Sequence, residues 1–524
     1  MPGLSLAAAL PGRERLGPLL AKIFSAALVG TEGCLVEVEV NSTSGVPGFT
    51  VVGLAARSIT EAEQRIRSAL ATASQEWPRV KLIANLAPAA LRKEGTHFDL
   101  PLALGVLTAR ERIDGDWLQS ALVMGELALD GRVRPVRGVL AAAMEARRAG
   151  LDRVVCPKAN ACEAALVEGL EIVGVSSLSE CLAVVRGETE PPPVERPPAQ
   201  EPPPRPELQE VRGQRSGKWA VEIAAAGGHN LLLSGPPGSG KTMLASRLPG
   251  LLPEMSQPEA LEVTRIYSVA GLLPEGAGLI TARPFRAPHH HISAAGLVGG
   301  GSGMARPGEV SLAHRGVLFL DELPLFPSAV LNTLRAPLEG GRIRIARSAA
   351  SVLYPCRFTL VGAMNPCPCG YQGDARRACR CSDHQREVYQ GRVSGPLLDR
   401  FDLQVSVRRV SKSRLLGPPE GPTTAEVARR VAAAREIQAE RYGEGVTNAC
   451  APHKTVEKCL NLDSKARSFA GWAIDHVGLS GRGLDRLFRV ARTVADLEGG
   501  GPVTEEHLRQ ALGLRIGVGG EEAA

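Results

Sequence analysis

Gly235-Pro236-Pro237-Gly238-Ser239-Gly240-Lys241-Thr242 lies between the apolar run Leu231-Leu232-Leu233 and the segment Met243-Leu244-Ala245, and so reads as strand, loop and helix. In that setting a G-x-x-x-x-G-K-[ST] stretch is a phosphate-binding loop. Its glycines let backbone N–H groups turn toward phosphate oxygens, and the helix N-terminus adds partial positive charge. Lys241 is placed to reach the β- and γ-phosphates, and the Thr242 hydroxyl to ligate Mg²⁺. A Gly/Pro turn that merely carries a lysine would need neither the strand nor the helix. The chain is therefore expected to bind ATP on a doubly wound α/β sheet.

Three downstream segments extend binding into hydrolysis. Val317-Leu318-Phe319-Leu320-Asp321-Glu322 is an apolar strand ending in two carboxylates. Asp321 is the expected Mg²⁺ partner, and Glu322 the group that acts on the attacking water. Phe358 to Asn365 is a second buried-type strand, and the Asn365 amide suits a sensor-1 role beside water and γ-phosphate. In Leu397-Leu398-Asp399-Arg400-Phe401-Asp402, Arg400 is the candidate arginine finger, supplied in trans to a neighbour's γ-phosphate. Arg482, in Ser480-Gly481-Arg482-Gly483, is the candidate sensor-2 arginine in cis, with Arg486 as the fallback. Arg489 and Arg492 on the same helix read as a solvated basic face.

Around this core the 524 residues divide by composition. Residues 1–19 read as an extension, as a start codon called too early would produce. An α+β domain is expected over 20–187, with strands at Leu35–Val40, Phe49–Val52 and Val80–Ala84 and helices at Ile59–Thr72, Leu100–Arg110 and Val139–Ala149. Residues 188–207 hold Pro191-Pro192-Pro193, Pro197-Pro198 and Pro202-Pro203-Pro204, a semi-rigid extended linker. The ATPase core spans 208–410. A helical lid follows over 411–524, with helices at Thr424–Tyr442, Ser464–His476, Arg482–Leu497 and Thr504–Gly513.

Chain-wide properties exclude several classes. There is no run of about 18 apolar residues, so no membrane span is expected. The apolar start, Leu4 to Leu10, is followed rather than preceded by charge, which argues against a signal peptide. Eleven cysteines in so long a chain fit a reducing cytoplasm better than a disulfide scaffold. A net charge of +6 does not by itself demand nucleic acid.

Four of those cysteines form a second constellation in the insert 367–381: Cys367-Pro368-Cys369-Gly370 and Cys379-Arg380-Cys381. Two C-x-C pairs can surround one tetrahedral Zn²⁺, and the Gly-, Asp- and Arg-rich stretch between them has little core of its own. Reduced free thiols are the competing reading, and Cys356 reads as a packed thiol. Arg376, Arg377, Arg380, Arg386 and Arg392, with Tyr371 and Tyr389, suit phosphate contact and base stacking, or a merely solvated loop. His289-His290-His291 reads as a loop near the nucleotide or a translocated polymer; side chains of adjacent residues diverge, which makes them poor ligands for one metal. Arg342-Ile343-Arg344-Ile345-Ala346-Arg347 fits either a pore hairpin or a surface hairpin.

Taken in order, these motifs resemble the ComM (YifB) family of Mg-chelatase-like AAA+ ATPases. The resemblance rests on Val46 to Gly53, Asn85-Leu86-Ala87-Pro88, Arg92-Lys93-Glu94-Gly95, Gly125-Glu126-Leu127, Pro135-Val136-Arg137-Gly138, Ala224 to Asn230, Arg283 to His290, Arg306-Pro307-Gly308-Glu309 and Asn365 to Gly370. His291 departs from it, standing where Thr or Ser is expected. The resemblance implies a homo-hexameric DNA motor that drives branch migration on single-stranded or branched DNA in natural transformation, with recombinase proteins as further partners. It also implies a Lon-protease-like (ribosomal S5 domain 2-like) N-terminal domain. The Ser–Lys pair of that fold would fall near His97 and Leu140, so the domain is expected to be non-proteolytic. A protein- or cofactor-remodelling ATPase of the magnesium-chelatase type is the alternative, and an ATP-dependent protease is disfavoured by the missing pair.

Overall fold

The computed structural model describes residues 20–301, 305–346, 351–374 and 376–515, so the extension at 1–19, Arg347 and the last residues of the lid lie outside it. The chain divides into two compact units, one running through Pro197 with Pro274–Ala277, the other comprising Pro198–Leu273 and Gly278 onward. No helix among the described residues is long and apolar enough to cross a membrane.

The first unit is built on a seven-stranded mixed sheet. Its order is Gly48–Val52, Lys81–Ala87, Glu32–Thr43, Leu20–Val29, Ala121–Val123, Arg153–Pro157 and Glu171–Val175. Val36, Val38 and Val40 point into one core with the helices Ala62–Thr72 and Asp99–Thr108. The opposite face is covered by the helix Val139–Arg148, which approaches so closely that a Cβ at Gly33 would stand 2.5 Å from the Ala141 carbonyl. The last three strands are not in the sequence reading. They are short and continuously apolar, the pattern that a parallel, two-sided burial produces and that periodicity cannot separate from a helix core.

A five-stranded parallel sheet organises the second unit, in the order Phe285–Arg286, Val317–Leu320, Thr359–Met364, Leu231–Ser234 and Leu403–Ser406. Side chains alternate between its faces as strand geometry requires. Leu231, Leu233, Phe319 and Val361 enter a core with the helix Arg215–Gly227 and the C-terminal helices. Leu232, Leu318, Leu320 and Leu360 enter another beneath Phe326, Tyr354 and Phe401. Residues 190–207 carry no regular element. They are not a free spacer throughout, because the Gln200 N–H donates to Leu279 O at 3.0 Å and the Thr281 hydroxyl to Gln200 O at 2.6 Å.

The C-terminal helices include Thr424–Tyr442, Ser464–Val477, Gly481–Leu497 and Glu505–Gly513. A capping box explains why the first begins where it does: the Thr423 hydroxyl accepts from Glu426 N–H, and the Glu426 carboxylate accepts from Thr423 N–H.

One expectation fails here. Arg489 and Arg492 are buried, at 8% and 1% exposure, rather than forming a solvated basic face. Arg489 donates to Asp485 and to the carbonyls of Asn448 and Ala451. Arg492 donates to Asp496, Cys459 O and Gly501 O. Asp496, 2% exposed, also accepts from Arg441 and Asn448. Charge alone gave no sign of this burial, because an arginine with an acid four residues away on its helix reads equally as a solvated surface pair. Asp496→Ala strands two guanidinium groups, so unfolding stability is expected to fall by about 3–5 kcal/mol. Chemical denaturation with ATP absent reads that loss.

Candidate active site

The phosphate loop leaves the strand Leu231–Ser234 at its carboxyl end and turns into the helix Lys241–Leu251 at Gly240. Gly238 and Gly240 take φ of +74° and +95°, a region closed to most side chains. Gly235 is required for a different reason, since a Cβ there would lie 2.1 Å from the Val407 carbonyl. Gln214, itself left-handed at φ +53°, bridges the loop from outside by donating to Ser239 O at 2.8 Å and Arg408 O at 2.6 Å. Nothing in the sequence around Gln214 marks that role.

Lys241 is 8% exposed and folded back into the loop, donating to Gly235 O at 2.7 Å, Pro236 O at 3.1 Å and Asn365 Oδ1 at 3.2 Å. Burial lowers its ammonium pKa, and the charges of Asp321 and Glu322 oppose that shift. The Thr242 hydroxyl donates to Asp321 Oδ2 at 2.8 Å. Adjacent oxygens around an octahedral Mg²⁺ with bonds of about 2.0–2.1 Å stand roughly 2.9 Å apart, so this pair of hard donors fits that ion. Asp321 Oδ1 is engaged by the Glu322 N–H at 2.9 Å. Glu322 has φ of +53°, an unfavourable conformation for a side chain of its size and the kind of strain that clusters at reacting centres. The structure thus brings Lys241, Thr242, Asp321, Glu322 and Asn365 to one edge of the sheet.

The arginines stand apart from that cluster. Arg400 makes an ion pair with Glu339 of the same chain, and its Nε is buried without a partner. Burial, with the charges of Arg486, Arg482 and Arg335, lowers its guanidinium pKa. Arg482 is exposed at its helix start. Arg486 faces Asp402 at 3.6 Å. Burial pushes the Asp402 carboxyl up, but His229, Arg486 and the Asn230 N–H outweigh it, and the net shift is downward.

Directly after Asn365 the cysteine insert begins. The sulfurs of Cys367, Cys369 and Cys379 are 3.4–3.6 Å apart, and Cys381 completes a group whose ligand atoms all lie within 4.8 Å of one another. A tetrahedral ion with Zn–S bonds of about 2.3 Å needs sulfurs roughly 3.8 Å apart, so this all-thiol set fits zinc. Backbone N–H groups of Arg380 and Tyr371 bring the Cys369 thiol down to about 6, whereas burial raises Cys367. At Cys381 the lowering Cys369 N–H is outweighed by burial and the neighbouring thiols, which raise it to about 12. Cys356 is buried outside the group. The insert rests on the phosphate loop, where a Cβ at Gly370 would stand 2.7 Å from Pro237 Cδ.

Two further readings change. Tyr389 is 8% exposed, its hydroxyl pushed up to about 12 by burial, so it is a packed residue and not a stacking surface. Arg377 covers the Tyr371 ring at 4.2 Å from its centroid. Arg376, Arg377, Arg380 and Arg392 are exposed. The three consecutive histidines converge instead of diverging, with one ligand atom from each within 4.8 Å of the others. Divergence holds for an extended strand, whereas here the chain turns, with the Ile292 N–H donating to His289 O at 2.9 Å. In the hairpin Arg342–Ala346 with Ser351–Pro355, Ile343 and Ile345 are buried while Arg342 and Arg344 are exposed.

In the first unit, His97 is buried and bonded through Nε2 to Ala26 O at 2.9 Å, and burial lowers its pKa to about 4. Leu140 is fully buried. Sequence reasoning passed over Lys93, whose buried ammonium donates to the carbonyls of Gly53, Leu86 and Pro88.

A parallel sheet with a glycine-rich phosphate loop, a strand-end acid pair and a helical C-terminal part defines the class as a mixed α/β P-loop ATPase of AAA+ type. Three family models match: "Magnesium chelatase, subunit ChlI" over residues 207–415, "Subunit ChlI of Mg-chelatase" over 38–160 and "Magnesium chelatase, subunit ChlI C-terminal" over 421–515. The chain is 42% identical to Competence protein ComM of Haemophilus influenzae, covering 95% of this chain and 98% of that one. It is 41% identical to the uncharacterized protein YifB of Escherichia coli, over 95% and 97%. An uncharacterized protein of Mycobacterium tuberculosis is 45% identical over 95% and 98%. The chain belongs to the ComM/YifB family of Mg-chelatase-like proteins. Membership implies ATPase activity with ATP and Mg²⁺.

Proposed function

We propose that this protein is a cytoplasmic, ATP-driven DNA motor that works as a homo-hexamer and migrates branched DNA while single strands are integrated during natural transformation. Likeness to a competence protein across nearly the whole chain carries the reading. Exposed arginines on an insert seated against the phosphate loop support it, because they join a phosphate-binding surface to the ATPase edge. The insert holds Zn²⁺ on Cys367, Cys369, Cys379 and Cys381, which keeps those arginines fixed beside Asn365. The N-terminal unit adopts the Lon-protease-like fold without proteolysis, since His97 and Leu140 offer no nucleophile–base pair. Recombinase proteins are its expected partners on DNA.

In the ATPase step the backbone N–H groups of Gly235 to Thr242 cradle the phosphates and Lys241 moves from the loop carbonyls to the β- and γ-phosphates. Mg²⁺ on Thr242 and Asp321 would neutralise phosphate charge. Glu322 takes up a proton from the attacking water or orients it, and Asn365 holds the water by its amide. Arg482 contacts ATP in cis. Arg400 leaves Glu339 to reach a neighbour's γ-phosphate, so Arg400→Ala is expected to lower hexamer ATPase by about 10³-fold or more. Normal turnover by an assembled Arg400→Ala hexamer would refute the assignment.

The DNA reading is tested by ATP hydrolysis with single-stranded and branched DNA at rising salt. Stimulation that weakens with salt is expected, together with strand-exchange extension on a branched substrate. Absence of both sinks it in favour of a remodelling ATPase of the chelatase type, the reading that the family models' descriptions favour.

A further inference from the structure

The histidine turn lies beside Glu322. Ring centroids are 4.1 Å apart for His289 and His290, 4.4 Å for His290 and His291, and 5.1 Å for His289 and His291. His289 Nδ1 accepts from the His291 N–H at 3.4 Å, which leaves its Nε2 for a ligand. His290 Nδ1 stands 3.7 Å from Glu322 Oε2. Three imidazoles thus converge within 4.8 Å of one another, and the middle one, His290, brings the group beside the Glu322 carboxylate.

We propose that His289, His290 and His291 form a site for a borderline divalent transition metal of the zinc class, with Glu322 as the fourth ligand, and that its occupancy stops hydrolysis. Imidazole nitrogens select Zn²⁺, Ni²⁺ or Cu²⁺ over Mg²⁺ and Ca²⁺, which prefer all-oxygen sites. The two metals therefore do not compete: Mg²⁺ goes to Thr242 and Asp321, the inhibitory ion to the imidazoles. Tetrahedral bonds of about 2.0–2.1 Å place nitrogens roughly 3.4 Å apart, and the ligand nitrogens of the three imidazoles already lie within 4.8 Å of one another. His289 and His291 are exposed and free to turn. A Glu322 carboxylate bound to the metal cannot accept a proton from water, and the motor stalls with ATP bound. The site becomes a sensor of free transition metal. This regulation rests on the reading of Glu322 as the group that acts on water, whereas metal binding itself does not.

The test compares the full chain with a His289→Asn/His291→Asn double variant. Zn²⁺ is titrated by calorimetry, with metal content measured after dialysis. The unsubstituted chain is expected to bind one equivalent more than the double variant, whatever the cysteine insert holds. ATPase is then read with and without free Zn²⁺ at fixed Mg²⁺. Its rate is expected to fall by about 10²-fold in the unsubstituted chain, the contribution of a positioned general base, and to stay level in the double variant. Equal zinc content in the two proteins, or zinc-independent ATPase in the unsubstituted chain, overturns the proposal. A failed ATPase reading shows separately, as no hydrolysis before zinc is added.

Discussion

Lys241→Ala is expected to abolish ATP binding. The ammonium supplies the loop's one full positive charge at the position of the β- and γ-phosphates, and hydrogen bonds to charged groups contribute about 1.5–3 kcal/mol each. Losing two such contacts weakens binding by roughly a hundredfold to ten-thousandfold. In the nucleotide-free loop Lys241 ties Gly235 O, Pro236 O and Asn365 Oδ1 together, so alanine also leaves the empty loop without its clasp, an effect on the free protein separate from the lost phosphate contacts. Fluorescent-nucleotide titration measures the effect, and circular dichroism checks that the fold survives. Unchanged affinity would show that the phosphates bind elsewhere.

Glu322→Gln is expected to leave ATP binding intact while turnover falls by about 10²–10⁴-fold, the usual contribution of a positioned general base. Binding survives because the structural contact of this residue is its own N–H to Asp321, which glutamine keeps. Glutamine has the same length and the same backbone cost at φ +53°, so the substitution tests the carboxylate alone. Single-turnover ATP hydrolysis beside a binding isotherm separates the two effects. Rapid hydrolysis by the variant would move the role to another group.

Most of the ATPase edge was legible in the chain because each piece is local. The strands Leu231–Ser234, Val317–Leu320 and Thr359–Met364 run parallel, so their carboxyl ends, and with them the phosphate loop, Asp321 and Asn365, come out on the same side of the sheet. The lid helix Thr424–Tyr442 was legible for the same reason, since its capping box lies within four residues. Arg489 and Arg492 were misread because burial depends on what covers a helix face, not on the helix itself. Tyr389 was misread likewise, being exposed by composition and enclosed by packing.

The sequence by itself determined the candidate nucleotide site: a phosphate loop, a pair of acids at a strand end and the Asn365 amide, each defined by short-range backbone geometry. Only the tertiary structure decided what those groups face. It set Gln214 across the loop, paired Arg400 with Glu339, gathered four thiols beside Asn365 and turned three imidazoles toward one another with His290 beside Glu322. Such juxtapositions join residues tens to hundreds of positions apart, or depend on a turn that side-chain type does not announce. They arise when the chain packs, and no periodicity encodes them.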